Sequence, residues 1–367
     1  MQIFLKPAGR LKIISLCKGL PFFNSSMKIL RLLLLPFSLL YGLVTGIRNV
    51  LYHNGVVTSA SFNVPVIAVG NLSTGGTGKT PQTEYLIRLL SPAYRLAVLS
   101  RGYGRKSKGY ILADATASAQ TLGDEPYQFF SKFKDINVAV DANRVAGINN
   151  LLSLTPAPQV IVLDDAYQHR KVKAGFYILL TAYGDLYADD FILPAGNLRE
   201  SRFGAKRAGV IIVTKCPPGI SVAEQQKIIK KLRPADGQKV YFTCIDYDNS
   251  VHSGSGQIDV QELKALPKVL VAGIAKPKPF FDYLGGSPDT VKEYPDHHDF
   301  TDVEITELNT LAKDRYVITT EKDYMRLKGK LPQDKLYYLP IKSRFINGGD
   351  DFDKTILNYV ERSTGNR

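Results

Sequence analysis

Residues Gly70-Asn-Leu-Ser-Thr-Gly-Gly-Thr-Gly-Lys-Thr-Pro81 decide how the rest of this chain is read. The apolar run Pro65-Val-Ile-Ala-Val69 just before them predicts a short buried strand, and Glu84-Tyr-Leu-Ile-Arg-Leu-Leu90 after them has helical spacing. A strand, a glycine-rich turn, Gly-Lys-Thr and a helix together make a phosphate-binding loop. In such a loop Ser73, Thr74, Gly75, Gly76, Thr77 and Gly78 turn their backbone N–H groups toward one anion. The helix N-terminus adds its partial positive charge. Lys79 would reach the β- and γ-phosphates of a nucleotide, and the Thr80 hydroxyl would ligate Mg²⁺. The usual pattern has glycine where Ser73 stands; here the extra glycines, Gly75 and Gly76, lie inside the loop. The competing reading is a plain glycine-rich turn followed by a chance Gly-Lys-Thr.

Further strands are predicted at Arg95–Ser100, Asn137–Asp141, Gln159–Asp165, Phe176–Leu180 and Gly209–Thr214, with helical patterns between them. That alternation predicts a P-loop-type parallel sheet flanked by helices, in which ligands bind past the carboxyl ends of strands. Gly70, Arg101 and Asp164 all follow strand ends and are expected to share one crevice. The composition shifts at Pro217-Pro-Gly219; Val240–Cys244 then predicts a strand leaving the first unit. Strands at Lys268–Ala275 and Tyr316–Thr320 predict a second, smaller α/β domain. The expected division is 1–48 as an N-terminal extension and helix, 49–238 as the nucleotide-binding domain, and 239–367 as the smaller domain with linker strands.

The 367 residues carry 47 basic and 34 acidic side chains, a net charge of +13. Such an excess implies an anionic partner without saying which. The positive charge is dispersed and no nucleic-acid motif accompanies it, so nucleic acid is not expected. Cys17, Cys216 and Cys244 are too few and too far apart for a disulfide framework or a metal site, which fits a reduced compartment. Residues 1–31 are basic and apolar, and Leu32–Ile47 holds 16 residues without a charge, interrupted near its start by Pro36. As a helix this run is about 24 Å long, short of a roughly 30 Å hydrocarbon core. Signal peptide, full span and buried helix are all conceivable. The preferred expectation is a helix lying in the membrane interface with its cations on anionic headgroups. Because Met27 just precedes the apolar run, residues 1–26 are also readable as an upstream extension.

Candidate chemistry gathers at the strand ends. Asp164 and Asp165 end a hydrophobic strand, where a Walker B carboxylate belongs; the alternative is a pair of turn-capping acids. Gln168, His169 and Arg170 follow in the same loop, and Arg101-Gly-Tyr-Gly-Arg-Lys106 carries three cations and one aromatic. In Gly123-Asp-Glu-Pro126, Asp124 is either a helix cap or a base for a hydroxyl acceptor. Pro194–Arg202 is either an acceptor loop or a solvated one. Asp296-His-His-Asp299 has neighbouring positions that cannot all face one ion, so a histidine–aspartate pair facing the inter-domain cleft is preferred over a metal site.

Taken in order, these motifs resemble the tetraacyldisaccharide 4′-kinases, the lipid A 4′-kinases. The matching stretches are Val69–Pro81, Ser100–Arg105, Gly123–Pro126, Asp164–Arg170, Leu193–Glu200, Asp296-His297 and Thr319–Asp323, spread over about residues 28–330. Ala166-Tyr167 stands where the family usually has Gly-Phe. The resemblance implies two α/β/α units and a short two-stranded linker, with an N-terminal helix on the cytoplasmic face of the inner membrane. It implies transfer of the ATP γ-phosphate to the 4′-hydroxyl of a tetraacylated glucosamine disaccharide 1-phosphate. Lys79 would hold phosphates; Thr80 and Glu125 would hold Mg²⁺, backed by Asp164 or Asp165. Asp124 would be the base, oriented by His297. Asn71, Arg101, Tyr103, Arg144, Gln168, His169 and Glu200 would meet the acceptor. No protein partner is implied. The rival is a membrane-associated partitioning-type ATPase, which leaves Asp124, His169 and the Leu-Arg-Glu loop unexplained.

Overall fold

The computed structural model describes residues 23–286, 289–296 and 298–364. The first unit contains β1 (Val66–Asn71), β2 (Leu96–Ser100), β3 (Ile111–Leu112), β4 (Asn137–Val140), β5 (Val160–Leu163), β6 (Phe176–Ala182), β7 (Val210–Thr214) and β8 (Lys239–Tyr247). The second contains β9 (Ser250–His252), β10 (Gln257–Asp259), β11 (Lys268–Ala272), β12 (Thr290–Glu293), β13 (Tyr316–Thr320) and β14 (Leu336–Leu339). The chain then returns to the first sheet as β15 (Ile341–Asn347).

The nine-stranded sheet runs β15-β8-β7-β6-β1-β5-β2-β4-β3, and the six-stranded sheet β10-β9-β14-β13-β11-β12. β1 sits between β5 and β6, parallel to both, and all six of its residues are buried. Burial on both faces is what a Val/Ile-rich parallel strand requires. Ile67 and Val69 point into a core shared with Leu86, Ile87 and Leu90 of the helix Lys79–Leu90. Val66 and Ala68 face the opposite core, with Ile148 and Leu151. This two-sided packing fixes the strand end from which the phosphate loop springs.

Two expectations change. The helix Phe23–His53 continues through Pro36 without breaking, and at 31 residues it is nearly twice the charge-free run. The contiguous split after residue 238 also does not describe how the strands are shared. β8 pairs in parallel with β7 and antiparallel with β15, so both strands complete the first sheet. The last helix, Gly349–Thr364, buries Phe352, Ile356 and Val360 in the same core as Ile67. The second unit is thus inserted between β8 and β15, two adjacent antiparallel strands, which is how the expected two-stranded connection is realised.

Candidate active site

The phosphate loop is held open by its neighbours. Gly75 and Gly78 adopt φ of 111° and 81°, a region costly for any side chain. The Thr214 hydroxyl donates to the Thr77 carbonyl at 2.8 Å, and Lys215 Nζ donates to the Gly76 carbonyl at 2.6 Å. On the other side the Thr74 N–H donates to Asn197 and the Arg199 N–H to Leu72, both at 2.8 Å. The stretch 194–202 is therefore a structural wall of the loop as well as a candidate acceptor contact. Two side chains at the loop are buried without a hydrogen-bond partner among the described residues: both amide atoms of Asn71 and the Thr77 hydroxyl. Buried polar groups in that condition are rare in a finished interior and suit a ligand site.

Asp164 and Asp165 follow β5. Asp164 is fully enclosed and accepts from the Ser100 hydroxyl at 3.1 Å and the Thr83 hydroxyl at 3.2 Å. Burial, then the charges of Asp165 and Glu125, push its pKa up to about 6, while Lys79 opposes the shift. Lys79 Nζ lies 3.6 Å from Asp165, and Arg199 lies 3.3 Å from it. The corner thus gathers the loop lysine, both strand-end acids and the acid of the 123–126 turn.

That turn is gripped by the second unit. Gly123 is the N-cap of the helix Asp124–Lys132 and makes no side-chain cap, so Asp124 is a first-turn residue and not the cap. Its carboxylate instead receives the guanidinium of Arg326 through both Nε and Nη2. Lys322 lies 3.6 Å from Glu125 and 3.6 Å from Asp296. Both cations sit on the helix Glu321–Leu327 that follows β13. Further along, Lys132 bridges Glu84 at 2.8 Å and Glu321 at 2.6 Å. His297 lies outside the described residues. Its neighbour His298 contacts Glu304 at 2.9 Å and stacks on Tyr294, and its carbonyl accepts from Arg326 Nη1 at 3.2 Å.

The remaining candidates divide in two. Arg144 is 2% exposed, donates to the Asp141 carbonyl at 2.9 Å and keeps Nε without a described partner. Burial lowers its pKa to about 10, with Asp164 and Asp165 opposing. His169 Nε2 is likewise buried without a described partner, and burial plus the charges of Arg144, Lys171 and Arg101 lower its pKa to about 4. His169 is therefore a neutral imidazole at pH 7. Gln168 and Glu200 are instead engaged with the protein itself. Gln168 donates to the Asn71 carbonyl at 2.7 Å and to Glu200 at 3.2 Å. Glu200 is fully buried, paired with Arg207 through both oxygens and with Asn49 of the N-terminal helix at 2.7 Å. Tyr167 fits its turn by donating to the Gly204 carbonyl at 2.7 Å beneath the Arg207 guanidinium.

Sequence reasoning left Lys215, Lys322 and Arg326 out of the site. Lys215 follows the end of β7, the same signal that flagged Arg101 and Asp164. Lys322 stands in Thr319–Asp323, a matched stretch given no role.

A family model described as tetraacyldisaccharide-1-P 4′-kinase matches residues 30–361. The chain belongs to this family. A tetraacyldisaccharide 4′-kinase of Flavobacterium johnsoniae is 58% identical over 337 residues, covering 92% of this chain and 99% of the relative. One of Bacteroides fragilis is 43% identical over 353 residues, covering 91% and 94%. The crystal structure of LpxK from Aquifex aeolicus in complex with ATP aligns with a TM-score of 0.73 at 30% identity, covering 90% of this chain and 99% of that one. The family's kinases are enzymes of lipid A synthesis, and this membership sets the partitioning-type ATPase aside.

Among the described residues, no three His, Cys, Asp or Glu side chains form a metal cage by themselves. The charges of Asp165 and Glu125 both raise the pKa of buried Asp164, and a divalent cation beside these carboxylates would relieve that repulsion.

Proposed function

We propose that this kinase moves the γ-phosphate of ATP to the 4′-hydroxyl of a tetraacylated disaccharide 1-phosphate held at a membrane surface. The observation that carries the residue roles is the meeting of Lys79, Asp164, Asp165 and the Asp124-Glu125 turn at neighbouring strand ends, capped by Lys322 and Arg326. Lys79 and the loop amides hold the triphosphate. Thr80 and Glu125 would hold Mg²⁺ with Asp164 or Asp165 behind them; bound there, the ion neutralises charge developing on the transferred phosphoryl group. Asp124 takes the proton of the attacking hydroxyl, Arg326 keeps its carboxylate aimed, and His297 orients it. Neutral His169 offers the sugar a hydrogen bond without adding charge. Asn71, Arg101, Tyr103 and Arg144 line the acceptor's path, and Gln168 and Glu200 hold that path in shape.

Membrane binding rests on the helix Phe23–His53. Its apolar stretch Leu33–His53 is long and apolar enough to cross a membrane, and most of it is left uncovered by the protein. One side is docked: Ser38 accepts from the Ala195 N–H at 2.9 Å, Tyr41 donates to the Arg199 carbonyl at 3.1 Å, and Asn49 reaches Glu200. Leu33, Phe37, Leu40, Val44 and Ile47 remain exposed on the rest. A helix tied to the catalytic unit at Ser38, Tyr41 and Asn49 suits lying in the cytoplasmic leaflet better than crossing the bilayer. A four-chain lipid does not leave its bilayer, so the site must come to it.

The test is transfer of labelled phosphate from ATP to the disaccharide lipid by purified protein in detergent. No labelled lipid would reject the reading. Asp124→Ala should lose about 10²–10⁴-fold in transfer rate while nucleotide affinity, measured by calorimetry, stays within a few fold. A collapse of ATP affinity would remove Asp124 from the role of base.

A further inference from the structure

The helix Phe23–His53 has an inward stripe as well as an apolar outer face. Ser38, Gly42, Thr45 and Asn49 recur at helical spacing on the side opposite the exposed Leu40, Val44 and Ile47. Ser38 takes the Ala195 N–H, and Gly42 lets Ile192 approach so closely that a Cβ would lie 3.1 Å from it. Tyr41 donates to the Arg199 carbonyl at the edge of the stripe. The helix is therefore seated along residues 192–200. The other edge of that stretch is the wall of the phosphate loop, through the bonds from Thr74 to Asn197 and from Arg199 to Leu72. One segment is thus hydrogen-bonded to the helix on one side and to the phosphate loop on the other.

Asn49 has the deepest reach. The Glu200 carboxylate has no exposed surface. Its Oε2 accepts from Asn49 at 2.7 Å and from Arg207 at 2.9 Å; its Oε1 accepts from Arg207 at 2.8 Å and from Gln168 at 3.2 Å. The same Gln168 nitrogen donates to the Asn71 carbonyl at the end of β1. Gln168 Oε1 accepts from Arg199 Nη1 at 3.4 Å, the nitrogen that also meets Asp165 at 3.3 Å. Glu200, Gln168 and Arg199 therefore link Asn49 to a strand-end acid of the active corner. The last turn of the helix touches the same loop directly, since the Arg170 guanidinium lies over the Tyr52 ring at 5.6 Å. In this arrangement Arg207 balances the charge of Glu200, while Asn49 and Gln168 give each oxygen a further donor. A buried carboxylate keeps one orientation only while its oxygens keep their donors.

We infer that Asn49 is a positioning residue for phosphoryl transfer. Seating of the helix on 192–200 places its amide on Glu200, and Glu200 in turn holds Gln168 and Arg199 against Asp165 and the end of β1. The inference rests on the lipid-kinase reading above and makes the helix part of the catalytic unit as well as its hold on lipid. An enzyme built this way works at full rate only with its helix seated, because a small misplacement of groups around the transferred phosphate is costly. Its rate is thereby matched to the interface at which the acceptor lies.

The experiment uses Asn49→Leu, which deletes the donor, suits a helix and adds apolar surface. It is assayed in detergent with labelled ATP and the disaccharide lipid, where recruitment to a membrane is not needed. The expected result is a kcat about 10-fold below wild type, with KM for ATP and for lipid each within about threefold, the pattern of an interaction that matters in the transition state. Sedimentation with phosphatidylglycerol vesicles should not fall, because the outer face is untouched. Asn49→His puts a ring N–H donor near the place of the amide and should return kcat to within about threefold of wild type. An unchanged kcat in Asn49→Leu overturns the inference. So does an Asn49→His variant as slow as Asn49→Leu, since shape and not the donor would then matter. A loss carried by KM for the lipid also overturns it, by making Asn49 an acceptor contact. Asn49→Ala, which adds no bulk, decides the matter if leucine crowds Glu200. A wild type that labels no lipid overturns the kinase reading itself, which is a separate outcome.

Discussion

The two units approach the catalytic turn with their polar groups in opposite conditions. On the first, the Asn71 amide, the Thr77 hydroxyl, Arg144 Nε and His169 Nε2 are buried without described partners, and the charges of Asp165 and Glu125 weigh on buried Asp164. On the second, Arg326, Lys322 and Glu321 each meet an opposite charge across the interface. Unmet groups signal a surface shaped for something that comes and goes, whereas paired ones hold two bodies together. The first unit supplies the binding corner, and the second supplies the clamp that aims it. Substitutions in the corner should therefore damage function before fold, and those in the clamp the reverse.

The largest effect is expected at Lys79. Lys79→Ala should cut phosphoryl transfer about 10²–10³-fold, as loss of one preorganised charge at a transition state does. Unfolding in denaturant should shift little, because Lys79 is part-exposed and its Asp165 contact is 3.6 Å long. A variant that loses stability as sharply as activity would break the contrast. At the clamp, Lys132→Met takes the cation from Glu321, at 6% side-chain exposure, whereas Glu84 keeps Arg88 at 2.6 Å and Gln128 at 2.9 Å. Leaving one buried acid without its cation costs about 3 kcal/mol, read as a lower denaturant midpoint. Burial and the Glu84 charge already push the Glu321 pKa well up. The folded protein therefore takes a proton there that the unfolded chain has released. The loss in Lys132→Met should shrink as pH falls from 8 to 5. A midpoint that is pH-independent would assign the damage to lost packing by the lysine stem.

How much of this was legible beforehand follows from which forces are local. The strand–loop–helix at Val66–Leu90 reads directly, because strand apolarity, loop glycines and helical spacing are all written within 25 residues. Asp164 and Arg101 read for the same reason, as residues after buried strands. The helix through Pro36 did not. Residues before the proline need only complete their own turns, and in this chain they do. The return of β15 and the last helix to the first sheet did not read either, since it depends on Phe352 and Ile356 meeting Ile67, partners far apart in sequence. Arg326 was missed for a related reason. Arg326 earns its place only through Asp124, 202 residues away, and no spacing rule reaches that far.

The smallest effect, and the sharpest on the contrast, concerns Asp164. Its folded pKa of about 6 lies above the unfolded 3.8, so between those values the folded chain holds the extra proton. Stability without ligand should thus fall as pH rises through that window, and above pH 6 the buried charge costs up to about 3 kcal/mol. Asp164→Asn removes the charge and keeps an acceptor for Ser100 or Thr83. At pH 8 the ligand-free variant should melt a few degrees above wild type, and at pH 4 the difference should close. Adding MgATP should reverse the order, because a bound cation relieves the wild-type carboxylate and does nothing for the amide. If Asp164→Asn instead melts lower by the same amount at both pH values, the hydroxyl contacts outweigh the buried charge. Asp164 would then belong with the saturated clamp and not with the open corner.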